Sequence, residues 1–331
     1  MDIMKCIGGQ VKRIEAVMNK LVPESIEPEV LAKATRHLLE AGGKRLRPCL
    51  ALIACEAVGG KAEDAVETAA ALELLHTFTL IHDDIMDKDE FRRNVKTVHT
   101  IWGEPVAIIA GDALFAKVFE AVAANAKRLK LPADRVVELF DTLSKASFEI
   151  CQGQALDMLF EERKDIGEKE YLKMVSGKTG ALIEASTKVG ALLGRGKPEQ
   201  VKALAEYGRL IGIAFQIHDD VLGLVGEEKK FGKPIGSDIR EGKRTLIIVR
   251  ALETVPDGRR TIASVLGKRK ASKAEIKAAI DVLKNTGAID HAAKKARELV
   301  ARAKSKLDVL PDSKAKRSLL ELADFTVERE F

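Results

Sequence analysis

The sequence predicts an all-α fold in a single domain spanning residues 1–331. Apolar residues recur at helical spacing along nearly the whole chain. Aromatic residues make up only 4% of it, and no run alternates apolar and polar residues between turn signals, so strands are not expected. Prolines and glycines punctuate the helical pattern at intervals of roughly 15 to 30 residues. No low-complexity linker or shift in composition divides the chain.

The first three helices are expected over 7–21, 28–41 and 47–58; Pro48 opens the third and Gly59-Gly60 stops it. An apolar stretch at 62–88 carries the first of two acidic motifs, and 95–102 follows as a short helix. Pro105 opens 105–125, Pro132 opens 132–162, and 168–190 contains Lys178-Thr179-Gly180. Pro198 opens 198–226, which holds the second acidic motif. Residues 227–242 bring three glycines, one proline and repeated lysines, a composition suited to a mobile lid that carries cations over an anion. Helices over 243–255, 258–266, 272–286, 288–308 and 311–329 complete the chain, with a Ser272-x-x-Glu275 capping box and Pro311 as start signals.

Composition excludes several classes. Hydrophobic residues at 46% and charged residues at 32% describe a globular protein rather than a disordered one. A net charge of +5 suits anionic small molecules but does not mark a nucleic-acid binder. The basic residues of the C-terminal third read as a solvated helix face. The four cysteines form no C-x-x-C pair, so reduced thiols are expected, without a disulfide framework or zinc site. No apolar run reaches the ~18 residues of a membrane span, and residues 1–20 contain no signal-peptide core. A cytoplasmic protein without stable membrane insertion is therefore expected. Four asparagines and five glutamines against abundant Lys and Glu lean toward a heat-adapted source.

Two His-Asp-Asp sequences, His82-Asp83-Asp84 and His218-Asp219-Asp220, lie 136 positions apart in apolar helical stretches. Two carboxylates ~4 Å apart repel by about 4 kcal/mol at an effective dielectric near 20. The pattern therefore calls for a compensating cation or shared protons. Asp83 and Asp87, four apart, share a helix face. If the second pair faces the first, the space between is a hard-oxygen cage suited to Mg²⁺ and phosphate oxygens. His82 and His218 read as flanking or core residues.

Cations accompany the acids. Gly42-Gly43-Lys44-Arg45-Leu46-Arg47-Pro48 sets three of them after a flexible turn at a helix start, a phosphate-site composition. Arg92-Arg93 follows the first acidic motif and fits either salt bridges or a diphosphate clamp. Lys178 and Thr179 offer a lysine and a hydroxyl to an anion. Gln216 shares a face with Asp219 and Asp220, and His76 lies two helical turns before Asp83.

Taken in order, Gly-Gly-Lys-Arg-Leu-Arg-Pro, Asp-Asp-Ile-Met-Asp with Arg92-Arg93, Lys-Thr-Gly, Phe-Gln-Ile-His-Asp-Asp, Gly-Lys-Pro and Gly-Lys-Arg-Thr resemble the trans-isoprenyl diphosphate synthases over about residues 40 to 250. Within that family the chain resembles the short-chain archaeal geranylgeranyl and farnesyl type. The resemblance implies a bundle of long helices around a deep central cavity, usually a homodimer, and Mg²⁺-dependent head-to-tail joining of isopentenyl diphosphate to dimethylallyl, geranyl or farnesyl diphosphate. It implies that Asp83 and Asp87 bind two Mg²⁺ ions with Asp84 in support, and that Asp219 binds a third. Arg92, Lys178, Thr179, Gln216, Lys233 and Lys243 would hold the allylic substrate, and Lys44, Arg47, His76 and Arg93 isopentenyl diphosphate. Asp83, Asp84, Asp87, Lys178 and Asp219 would be the catalytic set.

That chemistry agrees with the residues. Departure of diphosphate from an allylic carbon needs stabilised negative charge, exclusion of water and a double bond held alongside the cation. No protein nucleophile is required, and the departing diphosphate takes the proton. One departure from the family pattern is Gly223, where a third aspartate usually ends the second motif. Phe78 and Thr79, five and four residues before Asp83, resemble the product-length wall of geranylgeranyl synthases, so geranylgeranyl diphosphate is the expected product, with some farnesyl diphosphate. The rivals are a class I terpene cyclase, which needs no isopentenyl site, a non-catalytic regulatory subunit, and a metal-dependent phosphohydrolase, for which six histidines are poorly placed.

Overall fold

The computed structural model describes residues 3–163, 165–225, 235–254 and 256–328, with side chains from residue 10 onward except those of 254–259. In chain order the elements are α1 (Ile3–Leu21), α2 (Glu29–Glu40), α3 (Leu46–Ala57), a 3-10 turn (Ala62–Ala65), α4 (Val66–Asp87), β1 (Phe91–Arg92), β2 (Val95–Lys96), α5 (Val98–Trp102), α6 (Glu104–Leu129) and α7 (Ala133–Glu162). Then come α8 (Glu168–Val175), a π-helical turn (Ser176–Gly180), α9 (Ala181–Leu193), α10 (Pro198–Val225), α11 (Ser237–Glu241), α12 (Leu246–Thr254), α13 (Pro256–Val265), α14 (Lys273–Asn285), α15 (Ala288–Lys306) and, after a 3-10 turn (Leu307–Val309), α16 (Lys314–Glu328). The all-α expectation holds: among the described residues the sole sheet is the β1–β2 hairpin.

The chain divides into two compact units, one made of Met1–Lys145, Ala185–Ala205 and Val309–Leu319, the other of Ala146–Glu184, Glu206–Asp308 and Leu320–Phe331. In the first, α4 is the central element. Its residues Val66, Ala69, Ala70, Ala71, Leu72, Leu74 and Leu75 are all buried, the mark of a helix covered on every side. It packs chiefly on α6 and also against α1 and α3. Each such leucine contributes about 1.5–3 kcal/mol on burial. Close α4–α6 packing requires Gly111: a Cβ there would stand 2.3 Å from the His82 ring nitrogen Nε2.

In the second unit, α12 packs on α13 and α15, and α14 packs on α13 and α15. The core includes Phe160, Tyr171, Tyr207, Ile211, Ile217 and Leu246 through Val249.

Four local departures from the expected helices have physical causes. The expected 95–102 helix begins as a strand, because Arg93 and Asn94 both have positive φ (53° and 64°) and close a two-residue hairpin turn. The expected 168–190 helix is interrupted at Ser176–Gly180, where the backbone meets two neighbouring helices. Within the expected 227–242 lid, residues 237–241 are helical with Ile239 buried; residues 226–234 lie outside the described residues. The C-terminal helix starts at Lys314, three residues after Pro311.

Candidate active site

Both acidic motifs lie on long helices, the first near the C-terminal end of α4 in the first unit and the second near that of α10 in the second. In each Asp-Asp pair the second carboxylate is buried: Asp84 is 1% exposed and Asp220 7%. Asp83, Asp87 and Asp219 are half-buried. Within each pair the two side chains diverge, since consecutive residues on a helix point about 100° apart.

Asp84 accepts from Arg92 Nε at 2.7 Å, with Nη2 at 2.6 Å on the same Oδ1 atom. Its Oδ2 is buried without a partner. Burial pushes its pKa up to about 6 despite the arginine. Arg92 also pairs with Asp89 at 3.0 Å, so this cation closes the end of α4 onto the hairpin.

The Gly-Gly-Lys-Arg-Leu-Arg turn does not present three cations together. Arg45, at the N-cap of α3 with φ 48°, is 3% exposed and turns inward. It binds Glu73 Oε1 at 2.8 Å and the Leu39 carbonyl at 2.6 Å. Lys44 is exposed and Arg47 half-buried. Arg47 Nη1 donates to His76 Nε2 at 3.1 Å. An arginine can only donate, so that nitrogen is the acceptor and the imidazole proton sits on Nδ1. Burial, followed by Arg47 and Arg93, holds the His76 pKa well below the usual histidine value, so the ring is neutral. Arg93 donates to the carbonyls of Leu38, at 2.8 Å, and Gly42, and its Nη2 lies 3.6 Å from Glu73. A Cβ on Gly43 would stand 2.9 Å from its Cζ. Arg47, His76 and Arg93 are thus gathered in one unit, around an acid that sequence reasoning missed.

In the second unit the π turn is held by glycines. A Cβ on Gly153 of α7 would stand 2.1 Å from the Lys178 nitrogen, and one on Gly212 of α10 2.7 Å from the Gly180 Cα. Backbones this close aim the turn's side chains. Lys178 Nζ binds Asp157 at 2.5 Å, and Thr179 Oγ1 donates to Gln216 Oε1 at 2.9 Å. Gln216 Nε2 donates to Asp220 Oδ1 at 2.9 Å, and Tyr171 donates to Oδ2 at 2.7 Å. Burial, then the neighbouring Asp238, raises the Asp220 pKa well above the carboxylate range. Lys243 pairs with Glu241 at 3.0 Å. Lys233 lies outside the described residues.

A family model described as polyprenyl synthetase matches residues 28–283. The chain belongs to the polyprenyl synthetase family. It is 48% identical to the short chain isoprenyl diphosphate synthase of Methanothermobacter thermautotrophicus, over 97% of this chain and 98% of that one. Identity to the geranylgeranyl diphosphate synthase of Methanosarcina mazei is 44%, over 100% and 99% of the two chains. The crystal structure of geranylgeranyl pyrophosphate synthetase from Pyrococcus horikoshii superposes with a TM-score of 0.93 at 47% identity, covering 99% of each chain. The expected enzyme class, a prenyltransferase, and the expected helical fold both stand.

In this polyprenyl synthetase, Phe78 lies half-buried on the α6 side of α4, its ring 4.8 Å from His82 and 5.1 Å from Phe115. Phe115 meets Phe119 at 5.1 Å, and Phe119 stacks on Phe140 of α7 at 6.2 Å. Thr79 Oγ1 donates to the His76 carbonyl at 2.8 Å. Gly223, in place of a third aspartate, accepts at its carbonyl from the Gly236 amide at 3.0 Å. His82 contacts the Ile108 carbonyl at 3.2 Å and serves helix packing.

The residues that sequence reading missed are Glu73, Asp157, Tyr171 and Asp238. Glu73 carried a signal as the single acid in Ala-Leu-Glu-Leu-Leu-His. Asp157, four residues after Gly153, was legible only as another helical carboxylate. Among the described residues no cluster of three or more His, Cys, Asp or Glu side chains is arranged to hold a metal ion. No helix among them is long and apolar enough to cross a membrane.

Proposed function

We propose that the chain joins isopentenyl diphosphate head-to-tail to dimethylallyl, geranyl or farnesyl diphosphate, releasing mainly geranylgeranyl diphosphate and some farnesyl diphosphate. The observation that carries this reading is the gathering of Arg47, His76 and Arg93. A terpene cyclase has no use for a second diphosphate site, and a regulatory subunit has no use for a neutral histidine poised among arginines.

Asp83 and Asp87 offer hard oxygen donors one helical turn apart, with Asp84 drawn away to Arg92, which suits Mg²⁺. Asp83, Asp87 and Asp219 would hold about three ions, the substrate's diphosphate oxygens supplying the remaining ligands. When bound, Mg²⁺ neutralises charge on the leaving diphosphate. Lys178, Thr179, Gln216, Lys233, Lys243 and Arg92 serve the allylic diphosphate. The pairings of Lys178 with Asp157, Gln216 with Asp220, Lys243 with Glu241 and Arg92 with Asp84 hold those four side chains in place before substrate arrives. Lys44, Arg47, His76 and Arg93 hold isopentenyl diphosphate so that its double bond lies beside the forming allylic cation. His76 contributes an Nδ1–H donor rather than a charge.

Phe78 and Thr79 form the floor that stops elongation. We take the chain as one functional domain over 1–331. Exposed Ile108, Ile109 and Phe119 on α6 and Val137 on α7 favour a homodimer. We place the enzyme in the cytoplasm, in line with four cysteines that form no C-x-x-C pair or disulfide framework.

Incubation with labelled isopentenyl diphosphate and each allylic starter, with Mg²⁺ or EDTA, tests the reading. Metal-dependent geranylgeranyl product is expected. Longer or shorter product would overturn the floor assignment, and no incorporation by folded protein would overturn the synthase reading.

A further inference from the structure

We propose that Glu73 is a positioning residue for isopentenyl diphosphate, a buried carboxylate that aims Arg93 at the substrate; the proposal rests on the reading of Arg47, His76 and Arg93 as that substrate's site.

Two arginines reach Glu73 from strained backbone. Arg45 has φ 48° at the N-cap of α3, and Arg93 has φ 53° in the hairpin turn. The left-handed region is unfavourable for a residue with a side chain, because its Cβ crowds the following carbonyl. Both guanidiniums end at the same atom, Glu73 Oε1, at 2.8 Å from Arg45 Nη1 and 3.6 Å from Arg93 Nη2. Glu73 is 2% exposed and lies on the helix that carries Asp83 and Asp87. A carboxylate this deep is strongly unfavourable unless paired, and a leucine would fill an apolar helix face at no such cost.

Strain at two backbone positions and a desolvated charge at one atom have a common explanation in aim. Arg45 fixes the carboxylate, closing the Gly42-Gly43 turn onto α4. Arg93 is then held by Glu73, by the Leu38 carbonyl and by the Gly42 carbonyl, one residue from Gly43. Glu73 also favours the charged form of Arg47 against its burial. His76, three residues along α4, accepts from Arg47. Three guanidiniums stand against two carboxylates, Glu73 and Glu15, the latter 3.8 Å from Arg45 Nε, and the cationic surplus is left for a diphosphate.

A double-mutant cycle tests this. Glu73→Gln keeps the shape and the acceptor oxygen but removes the charge. It is expected to raise the KM for isopentenyl diphosphate about tenfold while changing kcat and the KM for the allylic diphosphate by less than about twofold. Glu73→Gln/Arg93→Gln is expected to match Arg93→Gln alone within about twofold, since Glu73 acts through Arg93. Equal losses in kcat and both KM values, or a double mutant whose effects multiply, would overturn the proposal. Should Gln unfold the protein, Glu73→Asp, which withdraws the charge by one methylene, is read for the same split. Arg47→Gln separates the two levels of the argument. If it raises the isopentenyl KM while Glu73→Gln does not, the positioning role fails; if neither does, the site reading fails and takes the proposal with it.

Discussion

The guanidinium of Arg93 lies across Gly43, at 2.9 Å from the point where a Cβ would stand. Gly43 has φ +146° and Arg93 φ 53°, so the turn before α3 and the hairpin after α4 are fitted to one another. Gly43→Ala must displace the arginine or distort the turn, at a cost on the order of 1–3 kcal/mol. The expected outcome is a lower denaturation midpoint together with a raised KM for isopentenyl diphosphate. A variant with wild-type values of both would contradict the fit.

His76 is held neutral by burial and by surrounding arginines. Its folded pKa is depressed, so its contribution to stability is full above the unfolded value near 6.5 and declines as the pH falls below it. Replacing it with Gln removes a slope approaching about 1.4 kcal/mol per pH unit on the acid side. Denaturation of wild type and His76→Gln between pH 7 and 5 should show the two stabilities converging as the pH drops. Parallel curves would mean that folding leaves the His76 pKa where it is in the unfolded chain.

Tyr171 is fully buried and donates to Asp220, at the end of a chain of hydrogen bonds through Gln216 to Thr179. Tyr171→Phe leaves Asp220 Oδ2 without that donor, a loss of about 1–3 kcal/mol. Denaturant titration should record it, and the KM for the allylic diphosphate should rise while that for isopentenyl diphosphate holds. An unchanged allylic KM would separate Tyr171 from the substrate-facing end of the chain.

Phe78 rests on Phe115, and Phe115 on Phe119. Phe78→Ala is therefore expected to lengthen the product by about one isoprene unit rather than without limit, because the next ring remains. Chromatography of the dephosphorylated alcohols reads the outcome. Unchanged length would remove Phe78 from the floor.

Helices were legible because apolar spacing survives almost any tertiary setting. The order of the motifs was legible too, and the structure brings Arg47, His76 and Arg93 together. Which aspartate of each pair turns inward was not: Asp83 and Asp84 are chemically identical, and only Arg92, eight residues on, selects Asp84. Arg45 read as one of three cations of a phosphate site because nothing in its neighbours announces a left-handed N-cap facing Glu73. The Arg93-Asn94 turn lacks the glycine that usually marks such a hairpin. Lys178 and Thr179 were visible as a triplet, but their partners Asp157 and Gln216 come from α7 and α10, contacts that one helical pattern cannot encode.

The π turn at Ser176–Gly180 has a consequence for how this chain tolerates change. One extra residue in a helix advances everything after it by about 100°. The inward face of α9, with Leu182, Ile183, Ser186 and Val189 buried, is therefore in phase with its surroundings only while the segment keeps its length. Deleting any one of these five residues would restore a regular helix and rotate either Lys178 or the whole of α9 out of place. The segment is a spacer whose count matters as much as its letters, and a shortened relative would need a second, compensating insertion farther along.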